Sequence, residues 1–401
     1  MEPESETNLN FKISVLEKLQ ITVKTLEGLE DVLAQEIKEI GGDNINIGKR
    51  VVYFDGDLAM VYRANYRLRT ALRVFRQIES FRFTDADDFY IKCIKVKWET
   101  FMNLNQTFAV QSTVFHSELF KNSMFASLKV KDAIVDRFRQ RTGSRPDIDT
   151  KTPDIIFHVH INNNQCTLSI DSSGESLHKR GYRQVPGDAP LSEVLAAGMV
   201  LISGWDGSSD FIDPMCGSGT LPIEAALIAR NIPPGKYRKD FAFMAWKDYN
   251  EELFEKIKQE VELSDFGGKI YASDIMKGNL IGAQTNARAA RVFNLIQFQS
   301  CDFAKLKIEN VKGIMVINPP YGERLNSSEL ENLYQMIGEK LKHQFTGNKA
   351  WIISSTPTLL HSIGLKPSKK HKLLNGALVC SYQQYDLFSG KRKDLIKRSS
   401  G

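Results

Sequence analysis

The sequence predicts an α/β protein in which two small α+β modules precede a doubly wound parallel domain. Three observations lead to this class. From residue 193 onward strand patterns alternate with helical patterns, distinctive turns follow two of those strands, and a short turn joins the last two strand patterns. Strands and helices that alternate at this spacing are typical of a parallel sheet with helices on both faces. The last strand pair predicts an antiparallel hairpin at the C-terminal edge of that sheet.

Composition and charge exclude several classes of protein. The 401 residues are 42% hydrophobic and 25% charged, which is the balance of an ordinary globular chain. The longest apolar run covers residues 194–202, far short of the roughly 20 residues that span a bilayer, so we expect no membrane association. The N-terminus has no signal-peptide pattern, and the five cysteines lack metal-binding spacing. We therefore expect a cytoplasmic protein without disulfides or metal.

The sequence patterns of the N-terminal half predict a disordered tail followed by two α+β modules. Residues 1–18 are polar and are expected to be disordered. Over 19–83 the patterns run strand, helix, two strands, a long arginine-rich helix at 57–76 and a closing strand, which is a ferredoxin-like order. A second α+β module over 84–172 contains a helix at 123–142 and ends in two paired strands.

Two histidines on one strand of the second module are spaced as two ligands of a metal site could be. His158 and His160 lie two residues apart, so they share a face of the strand. No third candidate ligand lies nearby in the sequence. We therefore interpret them as residues of the strand surface and expect no metal.

Basic residues are concentrated in two segments, although the net charge is only +5. Six arginines accompany one acidic residue between Arg63 and Arg82, and nine basic residues accompany two acidic ones between Lys366 and Arg398. Such clusters on a mildly acidic body favour a polyanionic partner such as nucleic acid. The charge alone leaves one alternative open, namely that the first cluster is the solvated face of a single helix.

Residues 173–192 predict a linker into the last domain, 193–401. The segment contains glycines, prolines and four basic side chains. Because the alternating strands and helices begin only after it, we expect a fragment that starts near residue 185 to fold by itself.

A glycine-rich turn joins the first strand of the last domain to the next helix. The turn is Asp213-Pro-Met-Cys-Gly-Ser-Gly-Thr220, in which Gly217 and Gly219 let the main chain approach a ligand closely. It lacks the Lys-Ser/Thr pair that holds nucleotide phosphates and magnesium. An acidic residue at the strand end suits a cationic ligand instead.

Two more acidic residues end the next two strands. Asp274 closes Lys-Ile-Tyr-Ala-Ser-Asp, where a carboxylate can accept both hydroxyls of a ribose. Asp302 closes Phe-Gln-Ser-Cys-Asp and can accept a hydrogen bond from an adenine amino group. Each acid alone is equally consistent with a loop cap, but three acids at three successive strand ends indicate a nucleoside site.

The most specific pattern is Asn318-Pro-Pro-Tyr321, at the end of a very apolar strand. Pro319 and Pro320 fix φ and donate no N–H, so the turn presents hydrogen-bond acceptors. The side-chain oxygen of Asn318 and the carbonyl of Pro319 can accept both hydrogens of one exocyclic amine. The ring of Tyr321 offers a face on which a flipped-out base can stack.

Together the two turns resemble those of Rossmann-fold methyltransferases that use S-adenosylmethionine on exocyclic amines. The wider resemblance covers nearly the whole chain and is to bacterial large-subunit (23S) rRNA guanine-N2 methyltransferases, which carry an RNA-binding THUMP domain upstream. It includes Leu177-His-Lys-Arg-Gly-Tyr-Arg183, Ala189-Pro-Leu-Ser-Glu193 and Phe241-Ala-Phe-Met-Ala-Trp246. Some relatives carry a second methyltransferase domain that installs a different mark, and the printed sequence contains none.

The resemblance implies S-adenosylmethionine as cofactor, 23S rRNA as partner, a ferredoxin-like domain at 19–83 and a THUMP domain at 84–172. The residues expected to bind the cofactor are Asp213, Pro214, Cys216, Gly217, Gly219, Thr220, Asp274, Ile275, Asp302, Phe303 and Asn318. Those expected to hold the target amine are Asn318, Pro319, Pro320 and Tyr321. Those expected to contact RNA are Arg63, Arg67, Arg73, Lys179, Arg180, Tyr182 and Arg183.

Three other functions remain open on the sequence. A DNA adenine-N6 methyltransferase is one, because the same Asn-Pro-Pro-Tyr turn suits the amine of adenine. A tRNA guanine-N2 methyltransferase is another, and a non-catalytic ribosome-assembly protein that binds RNA is the third. The upstream modules favour RNA over DNA, and the intact set of motifs favours an enzyme.

Overall fold

A computed structural model describes residues 18–185, 191–320 and 326–388. The predicted disordered tail, 1–18, lies outside the described residues except for its last residue. The described chain forms two units that do not follow the sequence order. The first contains residues up to 25, 34–177 and 238–260, and the second contains 26–33, 178–237 and the residues from 261 onward.

A single seven-stranded sheet organises the first unit. Its strands are β1 (Leu19–Lys24), β2 (Asp43–Gly48), β3 (Val51–Gly56), β4 (Arg73–Arg82), β5 (Phe108–Phe115), β6 (Ile155–Asn162) and β7 (Gln165–Asp171). They lie in the order β2-β3-β1-β4-β7-β6-β5, antiparallel throughout except between β5 and β6. Because β4 pairs with both β1 and β7, the ferredoxin-like and THUMP modules share one continuous sheet.

Ten α-helices accompany the strands of the described chain. In chain order they are α1 (Glu30–Glu39), α2 (Leu58–Arg67), α3 (Ala86–Lys95), α4 (Ser123–Thr142), α5 (Glu193–Ile202), α6 (Thr220–Ala229), α7 (Glu251–Gln259), α8 (Lys277–Ala289), α9 (Ser327–Gln344) and α10 (Pro357–Ser362). The helices α7 and α10 were not predicted from the sequence.

The predicted arginine-rich helix over 57–76 is wrong in its second half. Asp57 caps α2 by accepting a hydrogen bond from the Met60 N–H at 2.8 Å, but the helix ends at Arg67. Arg73 and Arg76 lie on β4. A spacing of three to four residues between arginines imitates a helical face, whereas here the pairing of β4 with β1 and β7 determines the backbone.

The interpretation of His158 as a strand-surface residue is also wrong. Its side chain lies on β6 but is 9% exposed and packs against the ring of Phe75, with a centroid distance of 4.9 Å. Burial lowers its pKa to about 3, so the imidazole is neutral at physiological pH. His160, two residues further along the strand, is half-buried.

The second unit contains the predicted doubly wound sheet. Its strands are β8 (Asp210–Asp213), β9 (Ile270–Asp274), β10 (Ile296–Ser300), β11 (Gly313–Ile317), β12 (Lys349–Ser354), β13 (Lys369–Asn375) and β14 (Leu378–Asp386). They lie in the order β10-β9-β8-β11-β12-β14-β13, and β14 is antiparallel to both of its neighbours. The parallel sheet and its C-terminal hairpin are therefore confirmed. The connections reverse direction between β8 and β11, which is where ligands bind in such sheets.

Two short segments pack in the unit that their sequence position does not suggest. Residues 26–33 belong to the second unit, where the side chain of Leu29 lies so close to Gly198 on α5 that a Cβ there would meet it at 2.5 Å. Residues 238–260 belong to the first unit, where the ring of Phe243 stacks on Tyr62 at 4.4 Å. The second finding differs from the predicted domain 193–401, which includes that segment.

Candidate active site

The glycine-rich turn runs from the end of β8 to the start of α6. Gly217 and Gly219 have φ values of +51° and +84°, in the left-handed region that glycine adopts without strain. A Cβ on Gly219 would also meet the Cβ of Ala283 at 2.9 Å, so only glycine lets the turn lie against α8. At Gly217 a Cβ would meet nothing within 4 Å, so the main chain there faces open space.

The carboxyl group of Asp213 is buried, and one of its two oxygens accepts no hydrogen bond from the described residues. The residue is 1% exposed, and its Oδ1 accepts a hydrogen bond from the Met215 N–H at 3.2 Å. Its Oδ2 is also buried but accepts no hydrogen bond from the described residues. Burial raises the pKa of Asp213 well above its usual range, and the nearby charge of Asp274 adds to the effect. A cationic or hydrogen-bond-donating ligand would relieve both conditions.

Asp274, at the end of β9, fastens the glycine-rich turn to its neighbouring strand. Its Oδ2 accepts from the Gly217 N–H at 2.9 Å, while its Oδ1 accepts from the Met276 N–H at 2.9 Å and from Asn279 Nδ2 at 3.1 Å. A carboxylate offers about four lone-pair sites, so room for one further donor remains after these three contacts. Ile275, directly after it, is 65% exposed and lies beside the same strand end.

Asp302 and Phe303 lie just beyond β10. Asp302 is half-buried and caps a single 3-10 turn, with its Oδ1 accepting from the Ala304 N–H at 2.9 Å. The side chain of Phe303 is 3% exposed and belongs to the apolar core together with Phe345. Of the predicted pair, the Phe303 side chain therefore serves packing, and only its main chain and Asp302 present polar groups.

Asn318 follows β11, the strand adjacent to β8. Its side-chain Oδ1 is buried and accepts no hydrogen bond from the described residues, the same condition as the Oδ2 of Asp213. Pro319 is buried and Pro320 half-buried. Tyr321, the last residue of the predicted motif, lies outside the described residues. Two buried acceptors thus stand at the carboxyl ends of the two strands that flank the reversal point of the sheet.

The remaining predicted cofactor residues shape the turn itself. Pro214 and Cys216 are buried, and the Cys216 N–H donates to the carbonyl of Ser273 at 2.9 Å, which joins the turn to β9. Thr220 is 4% exposed and is the first residue of α6. Burial raises the pKa of the Cys216 thiol well above its usual range, which favours the protonated thiol over the thiolate.

Arg183, which was predicted to contact RNA, has its guanidinium hydrogen-bonded within the protein. Its guanidinium donates to Glu193 Oε1 at 2.7 Å and to the Leu191 carbonyl at 3.1 Å. It also donates to Thr220 Oγ1 at 3.0 Å and to Ser218 Oγ at 3.3 Å. With four of its five N–H groups used in this way, Arg183 braces the glycine-rich turn against α5.

Arg180 and Tyr182, which were also predicted to contact RNA, are both buried. They are 2% and 1% exposed, and the side chains of both lie against Glu224, a fully buried acid on α6. The Tyr182 hydroxyl donates to Glu224 Oε1 at 2.9 Å, and Arg180 Nε lies 3.6 Å from the same oxygen. Lys179, the remaining basic residue of this predicted set, is exposed.

The arginines of the first unit are largely matched with acids. Arg63 makes a two-pronged ion pair with Glu260 at 2.8 and 2.6 Å, and Arg73 pairs with Asp171. Arg67 is half-buried. The excess positive charge counted along the sequence is therefore smaller in the folded unit. The second basic segment, Lys366–Arg398, is described only as far as residue 388.

Asn286 is a functional candidate that the sequence analysis missed. Its Oδ1 accepts from the main-chain N–H groups of Gln184 and Val185 at 2.8 and 3.0 Å. Its Nδ2 donates to the carbonyl of Ser218 at 3.1 Å, so Arg183 and Asn286 hold the turn from two sides. The signal was a polar amide in the middle of a helix, a position that asparagine disfavours unless its side chain is bonded elsewhere.

The described residues contain neither a cluster of metal ligands nor a helix able to span a membrane. No three or more His, Cys, Asp or Glu side chains within it are grouped to hold a metal ion. Among its helices, none combines the length and the apolar character needed to cross a membrane.

Comparison with known proteins places this site in a family. Residues 180–384 match the family described as "RMKL-like, methyltransferase domain", 83–171 match the THUMP domain, and 20–75 match the RlmL ferredoxin-like domain. The chain belongs to the RMKL-like methyltransferases. A protein of Synechocystis sp. assigned as an RNA methyltransferase is 35% identical over 365 residues, which are 90% of this chain and 95% of that protein.

Other similar proteins are longer or have been solved with a ligand. The ribosomal RNA large subunit methyltransferase K/L of Psychromonas ingrahamii is 36% identical over 376 residues, 92% of this chain but 50% of that protein. The chain thus spans about half the length of that relative. The crystal structure of SMU.472, assigned as a methyltransferase and complexed with SAH, is 27% identical with a TM-score of 0.85, covering 94% of this chain and 100% of that one.

The cofactor of this RMKL-like methyltransferase is S-adenosylmethionine, and the site fits it. The cofactor carries a sulfonium and an ammonium group, and the buried Oδ2 of Asp213 is an acceptor of the kind that a cation requires. The open space beside Gly217 lets a ligand approach the main chain of the turn.

Proposed function

We propose that this protein transfers a methyl group from S-adenosylmethionine to the N2 amine of a guanosine in large-subunit rRNA. The observation that carries the proposal is the buried side-chain oxygen of Asn318, which no described residue satisfies. A buried acceptor without a donor is costly in a folded protein unless a ligand supplies the donor. An exocyclic amine is such a donor, and the adjacent carbonyl of Pro319 can accept its second hydrogen.

The cofactor is proposed to lie along the carboxyl ends of β8, β9 and β10. Asp213 and the glycine-rich turn would hold its methionine part, Asp274 its ribose and Asp302 its adenine. The order of these strands in the sheet supports the assignment, because β8, β9 and β10 are direct neighbours and their terminal acids follow one edge. The methionine end would thereby lie beside β11, where Asn318 stands.

The chemical task of Asn318 and Pro319 is to make a poor nucleophile reactive. The lone pair of a guanine amine is delocalised into the ring. Two acceptors on its hydrogens draw the nitrogen toward a tetrahedral shape, and they stabilise the positive charge that it gains as the new bond forms. When bound, S-adenosylmethionine supplies an electrophilic methyl whose bond to sulfur breaks as the nitrogen lone pair forms the N–C bond.

Positioning supplies the rest of the rate enhancement. The turns after β8 and β11 hold the two reactants next to each other, which replaces a bimolecular encounter by a reaction between bound groups. No base is required before methyl transfer, because the amine proton becomes acidic only when the nitrogen carries positive charge. The proton can then leave to water.

Large-subunit rRNA is proposed as substrate because the similar proteins of the K/L type bear that name and because residues 83–171 match the THUMP domain. The two enzymatic alternatives, guanine-N2 in tRNA and adenine-N6 in DNA, use the same amine chemistry. They differ from the proposal only in the acceptor.

The proposal is tested by methyl transfer with the full-length protein and tritiated S-adenosylmethionine. Acceptors are 23S rRNA, tRNA and duplex DNA, each prepared from a strain that lacks the gene, so that the target is unmodified. We expect label in 23S rRNA only and none with the Asn318→Ala variant. Label that enters DNA or tRNA while 23S rRNA stays unlabelled contradicts the proposal.

A further inference from the structure

The seven-stranded sheet of the first unit has one face covered by the helices of that unit and one opposite face of different composition. The covered face is apolar, with Ile21, Val52 and Val74 completely buried beneath helices such as α2. Because side chains alternate along a strand, their neighbours point the other way. Strand pairing places Tyr53, Thr22 and Phe75 in one row across β3, β1 and β4 on that opposite face.

Exposed aromatic rings lie toward the two ends of this opposite face. Tyr53 on β3 is 40% exposed, and Phe115 on β5 is 50% exposed. Five strand-to-strand steps separate β3 from β5, which corresponds to about 24 Å at ~4.8 Å per step. Between them the face carries polar side chains that can exchange hydrogen bonds with a ligand, namely Thr22, Gln77, Gln111, Thr113, His160 and Thr167.

Lys24 stands near the centre of the face without a carboxylate partner among the described residues. Its Nζ lies 3.4 Å from His158 Nε2 and 5.0 Å from the centroid of the Phe75 ring, and neither group carries a negative charge. Asp171, an acid on the same face, is paired with Arg73. Burial lowers the pKa of Lys24, the charge of Arg73 lowers it further, and Asp171 opposes them.

We propose that this face binds single-stranded RNA, with Tyr53 and Phe115 stacking on bases and Lys24 holding a backbone phosphate. Open sheet faces that combine aromatic rings with cations suit unpaired nucleotides, because every base has a stackable face and every linkage carries a negative charge. The inference rests on the proposed function, since it names the surface that would hold the substrate RNA.

RNA fits this face better than a protein partner does. A protein interface of comparable width would be centred on apolar or aromatic side chains in a dry core. Here the two exposed rings are far apart, and the Phe75 ring between them is 3% exposed. The centre holds the ammonium group of Lys24, which forms no ion pair with the described residues and feels the charge of Asp171 only alongside that of Arg73. A phosphate satisfies that group directly, and bases on either side of it reach the two rings.

The first test measures binding of a fluorescein-labelled uridine dodecamer by the full-length protein. Tyr53→Ser and Phe115→Ser should each weaken binding about 5- to 100-fold, the range for loss of one base-stacking contact. The matched control is Phe125→Ser on α4, because Phe125 is 43% exposed but belongs to a helix on the covered side. We expect the control to bind as the wild type does, and thermal unfolding confirms that each variant is folded.

The second test concerns the phosphate. Lys24→Gln should reduce the slope of log K against log salt by about 0.7, the value for one phosphate of a single strand, and Lys24→Arg should retain it. Lys95→Gln, which removes an exposed lysine at the end of α3, should leave the slope unchanged. Wild-type affinity in both aromatic variants, or an equal loss in the Phe125 control, overturns the proposal, as does an unchanged slope in Lys24→Gln.

These results are separable from those of the proposed function. Methyl transfer to 23S rRNA and calorimetric binding of S-adenosylhomocysteine are measured on the same preparations. If the dodecamer binds through Tyr53, Phe115 and Lys24 but rRNA is never methylated, RNA binding by this face is supported and the proposed function fails. If rRNA is methylated and the variants bind the dodecamer normally, RNA binding by this face is refuted and the proposed function stands.

Discussion

Replacing Arg183 by alanine should weaken binding of the cofactor and leave RNA binding unchanged. The guanidinium joins the start of α5 to the glycine-rich turn, because it donates to Glu193 Oε1, to Ser218 Oγ and to Thr220 Oγ1. The last two residues belong to the glycine-rich turn. Without Arg183 the turn loses these two contacts and keeps those with Asn286, Asp274 and Ser273.

The expected magnitudes follow from which contacts face the turn. The two hydroxyl hydrogen bonds contribute about 0.5–1.5 kcal/mol each, so their loss raises the dissociation constant of the cofactor by about 5- to 150-fold. Loss of the contact with Glu193 lowers the free energy of unfolding instead, since that acid is 4% exposed and would lose its ion-pair partner. Arg183 itself is 18% exposed, so we expect the lower end of the range for a broken buried pair, about 3 kcal/mol of unfolding free energy.

The assay is isothermal calorimetry with S-adenosylhomocysteine, together with urea denaturation. Arg183→Lys restores the charge beside Glu193 but not the planar set of N–H donors that reaches Ser218 and Thr220. It should therefore recover stability more than cofactor affinity. Adding Glu193→Gln to Arg183→Ala should likewise recover stability only. The control is Lys179→Ala, an exposed basic residue of the same segment.

One result would refute this reasoning. If Arg183→Ala binds S-adenosylhomocysteine with wild-type affinity but loses affinity for rRNA, the residue contacts RNA. The bracing of the turn seen here would then have no consequence for the cofactor.

Further predictions concern the carboxylates, the amine clamp, acid stability and truncation. Asp274→Ala should weaken S-adenosylhomocysteine binding in calorimetry by about 1.5–3 kcal/mol, because its carboxylate accepts charged hydrogen bonds, and Asp302→Ala should weaken it less. Asn318→Ala should lower the methyl-transfer rate about 10²- to 10³-fold with cofactor affinity within a few-fold, as single-turnover kinetics would show. Because burial lowers the pKa of His158 from 6.5 to about 3, the unfolded chain takes up a proton first. The unfolding free energy of the first unit should therefore fall by up to about 2 kcal/mol from pH 7 to pH 5, and less in His158→Gln, when followed by urea denaturation. A fragment that begins at residue 185 lacks residues 26–33 and 178–184, which belong to the second unit. It should therefore show no cooperative thermal transition, contrary to the expectation from sequence.

Local patterns predicted the second unit well because its elements depend on short stretches of sequence. The apolar run before Asn318 and the glycines between Asp213 and Thr220 determine a strand end and a turn by themselves. Their meeting at one edge follows from the parallel order of the strands. The fold class could therefore be stated from the sequence, whereas the roles of the individual residues remain predictions.

Long-range pairing could not be predicted in the same way. The arginine cluster suggested a nucleic-acid surface, but Arg63 and Arg73 meet Glu260 and Asp171, which lie about 200 and 100 residues away in sequence. The packing of residues 26–33 in the second unit depends on equally distant contacts. Charge counted along a chain says nothing of such partners, and neither does hydrophobic periodicity.

The most direct test of the account is the identity of the methylated nucleoside. Unmodified 23S rRNA is incubated with the full-length protein and S-adenosylmethionine that carries a deuterated methyl group, then digested and examined by mass spectrometry. The account predicts that the label appears in N2-methylguanosine, at one position and in the wild type but not in Asn318→Ala. Label in N6-methyladenosine, or no label in any nucleoside of the rRNA, would contradict it.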